Sequence, residues 1–456
     1  MDLPVKKDDV VDIEIIDMSH EGLGVGKIDG FTIFINDGIV GDKGKAKITK
    51  VKKNFAEGKM LDIYEPSIHR IESKCKISHL CGGCQFQELD YNKQLEIKTN
   101  KVINDIRKIA KLEDTVVHPT IGMDSPFRYR NKGQVPVGIY NDKTMIGFYK
   151  KGSHEIVDTK SCIIQHELND KVIEIVKEFM EKYDVKGYDK RTNKGVIRHI
   201  LTKVSFRTND LMIIIVTNTK KIPYKDELID TLTSKIPNIK SIVQNINTKK
   251  TNLVMGEKNI TIYGEDKIID YIGDLKFKIS PQSFFQVNPI QTEVLYNKAL
   301  EYADLKGNET VFDIYCGIGT ISLFLSKKAK KVYGIEVVEQ AIKDARENAK
   351  LNNIENVELY DGTAEDIFPK LYDKGIKADV VVLDPPRKGC DELVLDTIVK
   401  MQPKKVVYVS CNPSTLARDL KYLSENGYKA LEVQPVDMFP GTSHVECVVL
   451  MSRIDK

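Results

Sequence analysis

Three groups of residues in this chain have types and spacings suited to chemistry. The first centres on Cys411, which closes the apolar run Val406-Val407-Tyr408-Val409-Ser410 and is followed by Asn412-Pro413. β-Branched and aromatic residues ended by Asn-Pro predict a buried strand that presents its last side chain at its carboxyl end, the edge where open α/β sheets bind ligands. A cysteine alone is more often a small packing residue than a nucleophile, so the candidacy of Cys411 depends on its company. The second group is Cys75, Cys81 and Cys84, a C-x5-C-G-G-C array, with Cys162 far downstream. Four thiolates can close a tetrahedral site, and structural zinc and an iron-sulfur cluster both suit soft, charged sulfur. The spacing does not choose between them, and it differs from that of radical enzymes. Free thiols packed so closely would invite oxidation, whereas Gly82-Gly83 lets the backbone wrap a metal centre and turn N–H groups toward sulfur. The third group combines the turn Cys316-Gly317-Ile318-Gly319-Thr320 with Glu336 and Asp384-Pro385-Pro386-Arg387. The turn has two glycines of a nucleotide-binding loop, with Ser322 in place of the third. Glu336 is placed to accept hydrogen bonds from both hydroxyls of an adenosine ribose, and Asp384 brings a carboxylate and restrained carbonyls into the same cleft.

The elements that must position these groups are most regular in the C-terminal third. Strand-like runs at 310–315, 331–335, 357–360, 379–383 and 406–410, with helical stretches between them, predict a doubly wound parallel sheet. Residues 431–437 and 444–452 would pair as the last two strands, the second placing Glu446 near its start. From 10 to 64, short alternating runs punctuated by Gly22, Gly24 and Gly26 predict a small antiparallel barrel. Lys43, Lys45, Lys47, Lys50, Lys52, Lys53 and Lys59 make part of it basic, opposed only by Glu57 and Asp42. Lysines blunt strand edges and also suit a phosphate backbone. The middle reads as a helix at 94–112, strands over 127–149, a helix at 166–181, and paired strands at 197–208 and 211–218. Arg128, Arg130 and Lys132 interleaved with Phe127 and Tyr129 suit stacking on unpaired bases, and Arg198, His199 and Arg207 would extend a basic surface.

With 456 residues the chain has room for two to four domains, roughly. A net charge of only +3 announces no nucleic-acid binder, so any such surface is local. The start lacks the apolar core of a signal peptide, and the longest aliphatic run, 211–216, is too short to span a bilayer. The expectation is a cytoplasmic protein without a membrane partner or an obligate protein partner. Three of the eight cysteines fall between 75 and 84, which in a reducing compartment points to metal or catalysis rather than disulfides.

Five stretches carry a resemblance: Ser283-Phe284-Phe285-Gln286-Val287-Asn288, Asp313-Ile314-Tyr315-Cys316-Gly317-Ile318-Gly319, Asp384-Pro385-Pro386-Arg387, Ser410-Cys411-Asn412-Pro413 and His444-Val445-Glu446-Cys447. In this order they resemble the signatures of the RNA uridine-5-methyltransferase family. The Gly22-Leu23-Gly24-Val25 turn and the Val40-Gly41-Asp42 step resemble a TRAM domain, and the cysteine array extends the likeness over most of the chain. The resemblance implies an N-terminal OB-like β-barrel (1–65), a central α+β domain with the metal cysteines (66–274) and a C-terminal class I, Rossmann-like methyltransferase domain (275–456). It further implies that Gln286, Tyr315, Glu336 and Asp384 bind S-adenosylmethionine. By the same likeness Cys411 is the nucleophile, Glu446 the base, and Cys75, Cys81, Cys84 and Cys162 hold a [4Fe-4S] cluster. Cys316, Cys390 and Cys447 are left as packing residues.

Carbon 5 of uracil is too weak a nucleophile to take a methyl group directly. Attack of a Cys411 thiolate on carbon 6 enriches carbon 5, and a carboxylate must then remove its proton, a role that suits a buried Glu446. The target base must be flipped out of its stack. The leading expectation is 5-methyluridine formation in 23S ribosomal RNA, since the family's transfer-RNA enzymes in view lack the barrel and the cysteines. The same reaction on a transfer-RNA T-loop is the alternative, and a catalytically inert iron-sulfur RNA-binding factor is the reading from another class.

Overall fold

Strands flanked by helices on both sides must be apolar on both faces, and the runs Thr310–Ile314 and Val380–Leu383 are almost wholly buried. The computed structural model, which describes residues 3–141 and 143–454, builds them into one sheet. Its strands are β1 (Thr310–Ile314), β2 (Lys331–Glu336), β3 (Val357–Asp361), β4 (Val380–Leu383), β5 (Lys405–Ser410), β6 (Tyr428–Val436) and β7 (Glu446–Arg453). They lie in the order 3-2-1-4-5-7-6, with β7 antiparallel to both neighbours. This places the carboxyl ends of β1, β2, β4 and β5 along one edge, and the antiparallel β7 starts at that same edge.

Two pieces from far upstream complete this unit. Helix Tyr91–Asp105, continued by the π-helical turn Ile106–Ala110, sends Val102, Ile106 and Ala110 into the core beneath the sheet, and Val116–Val117 adds a short strand beside β6. A hairpin, Ile268–Ile272 and Leu275–Ile279, runs across position 274 and joins the same core. Its open edge is satisfied by side chains of helix Glu339–Leu351 and its C-cap residue: Asn348 accepts from Lys278 N at 2.8 Å and Asn352 from Lys276 N at 2.9 Å, which removes an exposed strand edge.

Between these pieces sits a seven-stranded mixed sheet whose middle strand is Ile197–Val204, beside the fully buried Leu211–Thr217, with helices Glu167–Lys182 and Lys225–Lys235 packed on it. Strand structure after Phe127 begins only at Lys132. Arg128 takes a left-handed φ of 53° and donates to the carbonyls of Cys162 and Gln165 and to Asp170. Tyr129 is buried, with its hydroxyl on the Pro440 carbonyl at 3.0 Å. The expected stacking of Tyr129 on RNA is therefore overturned. Arg198 likewise adds nothing to a basic surface, because it is buried with its guanidinium on the carbonyls of Asn247 and Lys249.

At the amino end, six strands form a separate sheet around Ile13, Ile33, Ile35, Ala46, Ile48 and Ala56. Along Lys43–Val51, Gly44, Ala46 and Ile48 point inward while Lys45 and Lys47 point out, as a period of two requires. The lysines are opposed by more acid than the sequence suggested: Lys43 pairs with Glu65 and Lys47 with Asp8, each at 3.0 Å, and Lys50 with Glu57 at 3.6 Å. Asp42 is not among these partners. It is buried, accepts from Ile39 N and Ser67 N, and takes the Arg70 guanidinium on both oxygens, which ties the barrel to the chain that follows. Among the described residues no helix is long and apolar enough to cross a membrane.

Candidate active site and cysteine cavity

Cys411 follows β5 directly and is half-buried. Asn412 caps helix Pro413–Glu425 by accepting from Ser414 N at 3.2 Å, and Ser410 Oγ accepts from Asn412 N at 3.1 Å. Proline at the first helical position has no N–H to leave unpaired. The turn is thus self-satisfied and holds the thiol at the sheet edge. In the β5–β7 register Ser410 stands opposite Cys447, so the next pair outward is Cys411 and Glu446. Asp384 is the residue after β4, the neighbour of β5 on the other side.

The three groups feel one another. Burial pushes the Cys411 thiol up to about 11, helped by the Glu446 and Asp384 carboxylates and opposed by the exposed Arg387. Burial raises Glu446 to about 7, with Arg387 pulling it down. Asp384 is held well above the usual carboxylate range by burial and then by Glu446 and Asp313. A carboxyl that loses its proton near neutrality is suited to general-base work, and a protonated thiol beside it is a nucleophile awaiting activation.

The expected cofactor residues fall along the same edge. Tyr315, at a φ of 72°, opens the turn after β1, in which Gly317 and Gly319 also have positive φ. Gly317 has open space where a side chain would project, so a ligand can approach the backbone closely. Glu336 ends β2 and accepts from Gly317 N at 3.1 Å and Val338 N at 2.9 Å, leaving lone pairs on both oxygens for ribose hydroxyls. Gln286 is buried on the segment between the hairpin and helix Pro289–Ala303, where its carbonyl takes Asn131 Nδ2 at 3.1 Å. Two residues on, Asn288 donates to the Met438 carbonyl at 3.1 Å, in the segment that leads to Glu446.

Sequence reasoning did not single out Asp313. It is fully buried at the end of β1, accepts from Ser322 at 2.5 Å on one oxygen, and has no partner for the other. Burial raises it to about 7. An unpaired buried oxygen beside an open glycine turn fits an absent polar ligand. The signal was its place at the head of the Asp313–Gly319 stretch. Arg387 was also passed over, although it closes the Asp384-Pro385-Pro386-Arg387 run.

Cys75, Cys81, Cys84 and Cys162 come together around a cavity of about 340 Å³. Gly83 N donates to Cys81 Sγ at 3.3 Å. Burial pushes Cys84 up to about 12 and Cys162 to about 11, and the neighbouring thiols add to both. Among the described residues no group of three or more His, Cys, Asp or Glu side chains is arranged to hold a metal ion. The thiols line a space rather than converging on a point.

The family model for tRNA (uracil-5-)-methyltransferase matches residues 90–454, and that for the TRAM domain matches residues 4–61. A protein of Clostridium tetani described as an uncharacterized RNA methyltransferase is 54% identical over 451 residues, covering 99% of this chain and 98% of its own. One of Bacillus cereus with the same description is 51% identical, covering 99% and 98%. The crystal structure of Pyrococcus abyssi tRNA (uracil-54, C5)-methyltransferase in complex with S-adenosyl-L-homocysteine superposes with a TM-score of 0.77 at 26% identity, covering 97% of this chain and all of that one. The chain therefore belongs to the tRNA (uracil-5-)-methyltransferase family of S-adenosylmethionine-dependent RNA-methylating enzymes and carries a TRAM domain at its amino end.

Proposed function

We propose that this enzyme makes 5-methyluridine by covalent catalysis, with Cys411 as nucleophile and Glu446 as base. The observation that carries the reading is their placement just beyond the Ser410–Cys447 pair of antiparallel β5 and β7, with Glu446 buried and raised to about 7. S-Adenosylmethionine, when bound, supplies an electrophilic methyl group on a positively charged sulfur. Gln286, Tyr315, Glu336 and Asp384 hold it, and the unpaired oxygen of Asp313 is a further acceptor. The Cys411 sulfur, as thiolate, bonds to carbon 6; carbon 5, now electron-rich, takes the methyl as the methyl–sulfonium bond breaks, its electrons staying on sulfur, and S-adenosylhomocysteine leaves. Glu446 removes the carbon-5 proton, the double bond re-forms and sulfur leaves.

The favoured substrate is 23S ribosomal RNA, which the barrel and the cysteine array support through the family resemblance. The argument that these features set such enzymes apart from transfer-RNA enzymes is weakened, because the Pyrococcus abyssi transfer-RNA enzyme matches 97% of this chain. That observation favours transfer RNA as the second reading. A cytoplasmic location follows from either substrate. The working units are the barrel to about 65, the cysteine-bearing centre to about 274 and the catalytic part beyond, with residues 91–117 serving the last. The four cysteines hold a [4Fe-4S] cluster in this reading. Four soft thiols around a cavity suit a group larger than one ion.

The test is methyl transfer from labelled S-adenosylmethionine to protein-free large-subunit ribosomal and transfer-RNA transcripts, with Cys411→Ala alongside. Label on ribosomal RNA alone, lost in the variant, is the expected result. Label on transfer RNA alone moves the substrate to the second reading, and label that survives Cys411→Ala overturns covalent catalysis. Iron and sulfide analysis of protein purified without oxygen tests the cluster, and zinc in their place would refute it.

A further inference from the structure

Glu446 is delivered by residues 437–445, and the polar groups of that segment are held from the first third of the chain. The Gly441 carbonyl accepts Gln85 N at 3.1 Å and Phe86 N at 2.9 Å. Gly441 N donates to Gln94 Oε1 at 2.9 Å, and Ser443 N to Gln85 Oε1 at 3.3 Å. Asp437 takes Lys98 Nζ at 2.6 Å and the Tyr91 hydroxyl at 3.0 Å. The fit at Gly441 is close: a Cβ there would stand 2.5 Å from Gln87 Nε2 and 4.0 Å from Cys84 Sγ.

Gln85 is the junction of three parts. Its side chain donates to the Gly82 carbonyl within the cysteine array at 3.3 Å. A Cβ on Gly22 of the barrel turn would lie 2.4 Å from Gln85 Cβ, so only glycine admits this contact. Its remaining polar atom holds Ser443, three residues before Glu446.

We propose that Gln85 is a positioning residue for methyl transfer, its side chain fixing through Ser443 the segment that aims Glu446 at the carbon-5 proton. The proposal rests on the reading of Glu446 as base. In that step the Glu446 carboxylate takes the proton, the C–H electrons form the carbon 5–carbon 6 double bond, and the carbon 6–sulfur bond breaks with its electrons returning to Cys411. A misaimed carboxylate leaves the methylated ring attached to Cys411, so the defect shows as a trapped adduct rather than as weak binding.

Gln85→Ala, Gln85→Glu and Glu446→Gln are compared on the transcript that the wild type methylates. Gln85→Ala is expected to lower kcat about 10-fold with the KM for S-adenosylmethionine within about twofold. It should also raise the fraction of RNA in a denaturant-stable adduct and speed amide exchange in residues 437–446. Gln85→Glu keeps an acceptor for Ser443 N but loses the donor to the Gly82 carbonyl, so it should recover most of the kcat lost in Gln85→Ala without reaching wild type. Wild-type turnover in Gln85→Ala, or slow turnover with no added adduct and unchanged exchange, overturns the proposal. Adduct in Glu446→Gln but not in Gln85→Ala refutes the positioning role alone. No adduct in Glu446→Gln removes the base reading and this proposal with it. Should Gln85→Ala not fold, Gln85→Met fills a similar volume without an acceptor and is read the same way.

Discussion

Burial pushes the Cys411 thiol up to about 11, so in the proposed mechanism its activation depends on positive charge brought to the cleft. Replacing it by alanine should lower methyl transfer at least about 10³-fold, read by label incorporation. In the proposed mechanism Glu446 shapes the pH profile. Its carboxylate form accumulates as pH passes about 7, so the rise of kcat/KM with pH should become shallower above that pH by about one log unit per pH unit, while the raised Cys411 thiol keeps it from flattening. A profile flat from pH 5 to 8 would remove Glu446 from the rate-limiting proton transfer. Stability runs the other way. A carboxyl whose pKa rises from 4.5 to about 7 on folding binds more protons folded than unfolded, so its stabilising contribution is full below 4.5 and is lost as pH rises through 7. Glu446→Gln should therefore raise the unfolding midpoint more at pH 8 than at pH 5, measured by thermal denaturation.

At the scale of elements, helix Tyr91–Asp105 does more than pack. Lys98 and Asp437 are both buried and 2.6 Å apart, and burial draws the Lys98 pKa down while Asp437 opposes the shift. Such a pair is weak evidence for net stability, but breaking it strands a buried charge, at a cost of about 3–5 kcal/mol. Lys98→Met should lower the urea midpoint accordingly, and a change below about 1 kcal/mol would mean that Asp437 is rescued by protonation or water. The cysteine array lies one residue from the Gln85–Ser443 contact. On the proposed cluster reading, removing the cluster from the wild type should therefore speed amide exchange in 437–446 more than in β1, and equal change in both would show that the array is independent of that segment.

The TRAM barrel meets the rest of the molecule through Phe86 and Leu89, which enter its core, and through Arg70. Arg70 grips Asp42 of the barrel and Glu88 beyond the cysteine array. A tethered second module raises affinity through effective concentration only while its geometry is held. Arg70→Met should accordingly raise the KM for RNA about fivefold or more with kcat within about twofold, since the reacting groups are untouched. A fall in kcat with an unchanged KM would mean that the barrel acts on chemistry rather than on binding.

Much of this was legible in local pattern. The order of strands and helices after Thr310, the barrel alternation and the sheet-edge position of Cys411 follow from periodicity and turn residues, because the face a side chain takes is set by its immediate neighbours. What local pattern cannot show is which distant segment covers a face. Tyr129 reads as a stacking residue until Pro440, 311 positions away, takes its hydroxyl, and Arg198 reads as surface until three backbone carbonyls enclose it. Residues 91–117 precede the central sheet in sequence yet belong to the catalytic one. Sequence alone determined the candidate reacting groups and the elements that carry them. Only the tertiary structure decided their burial and their support, because both depend on contacts between residues hundreds of positions apart.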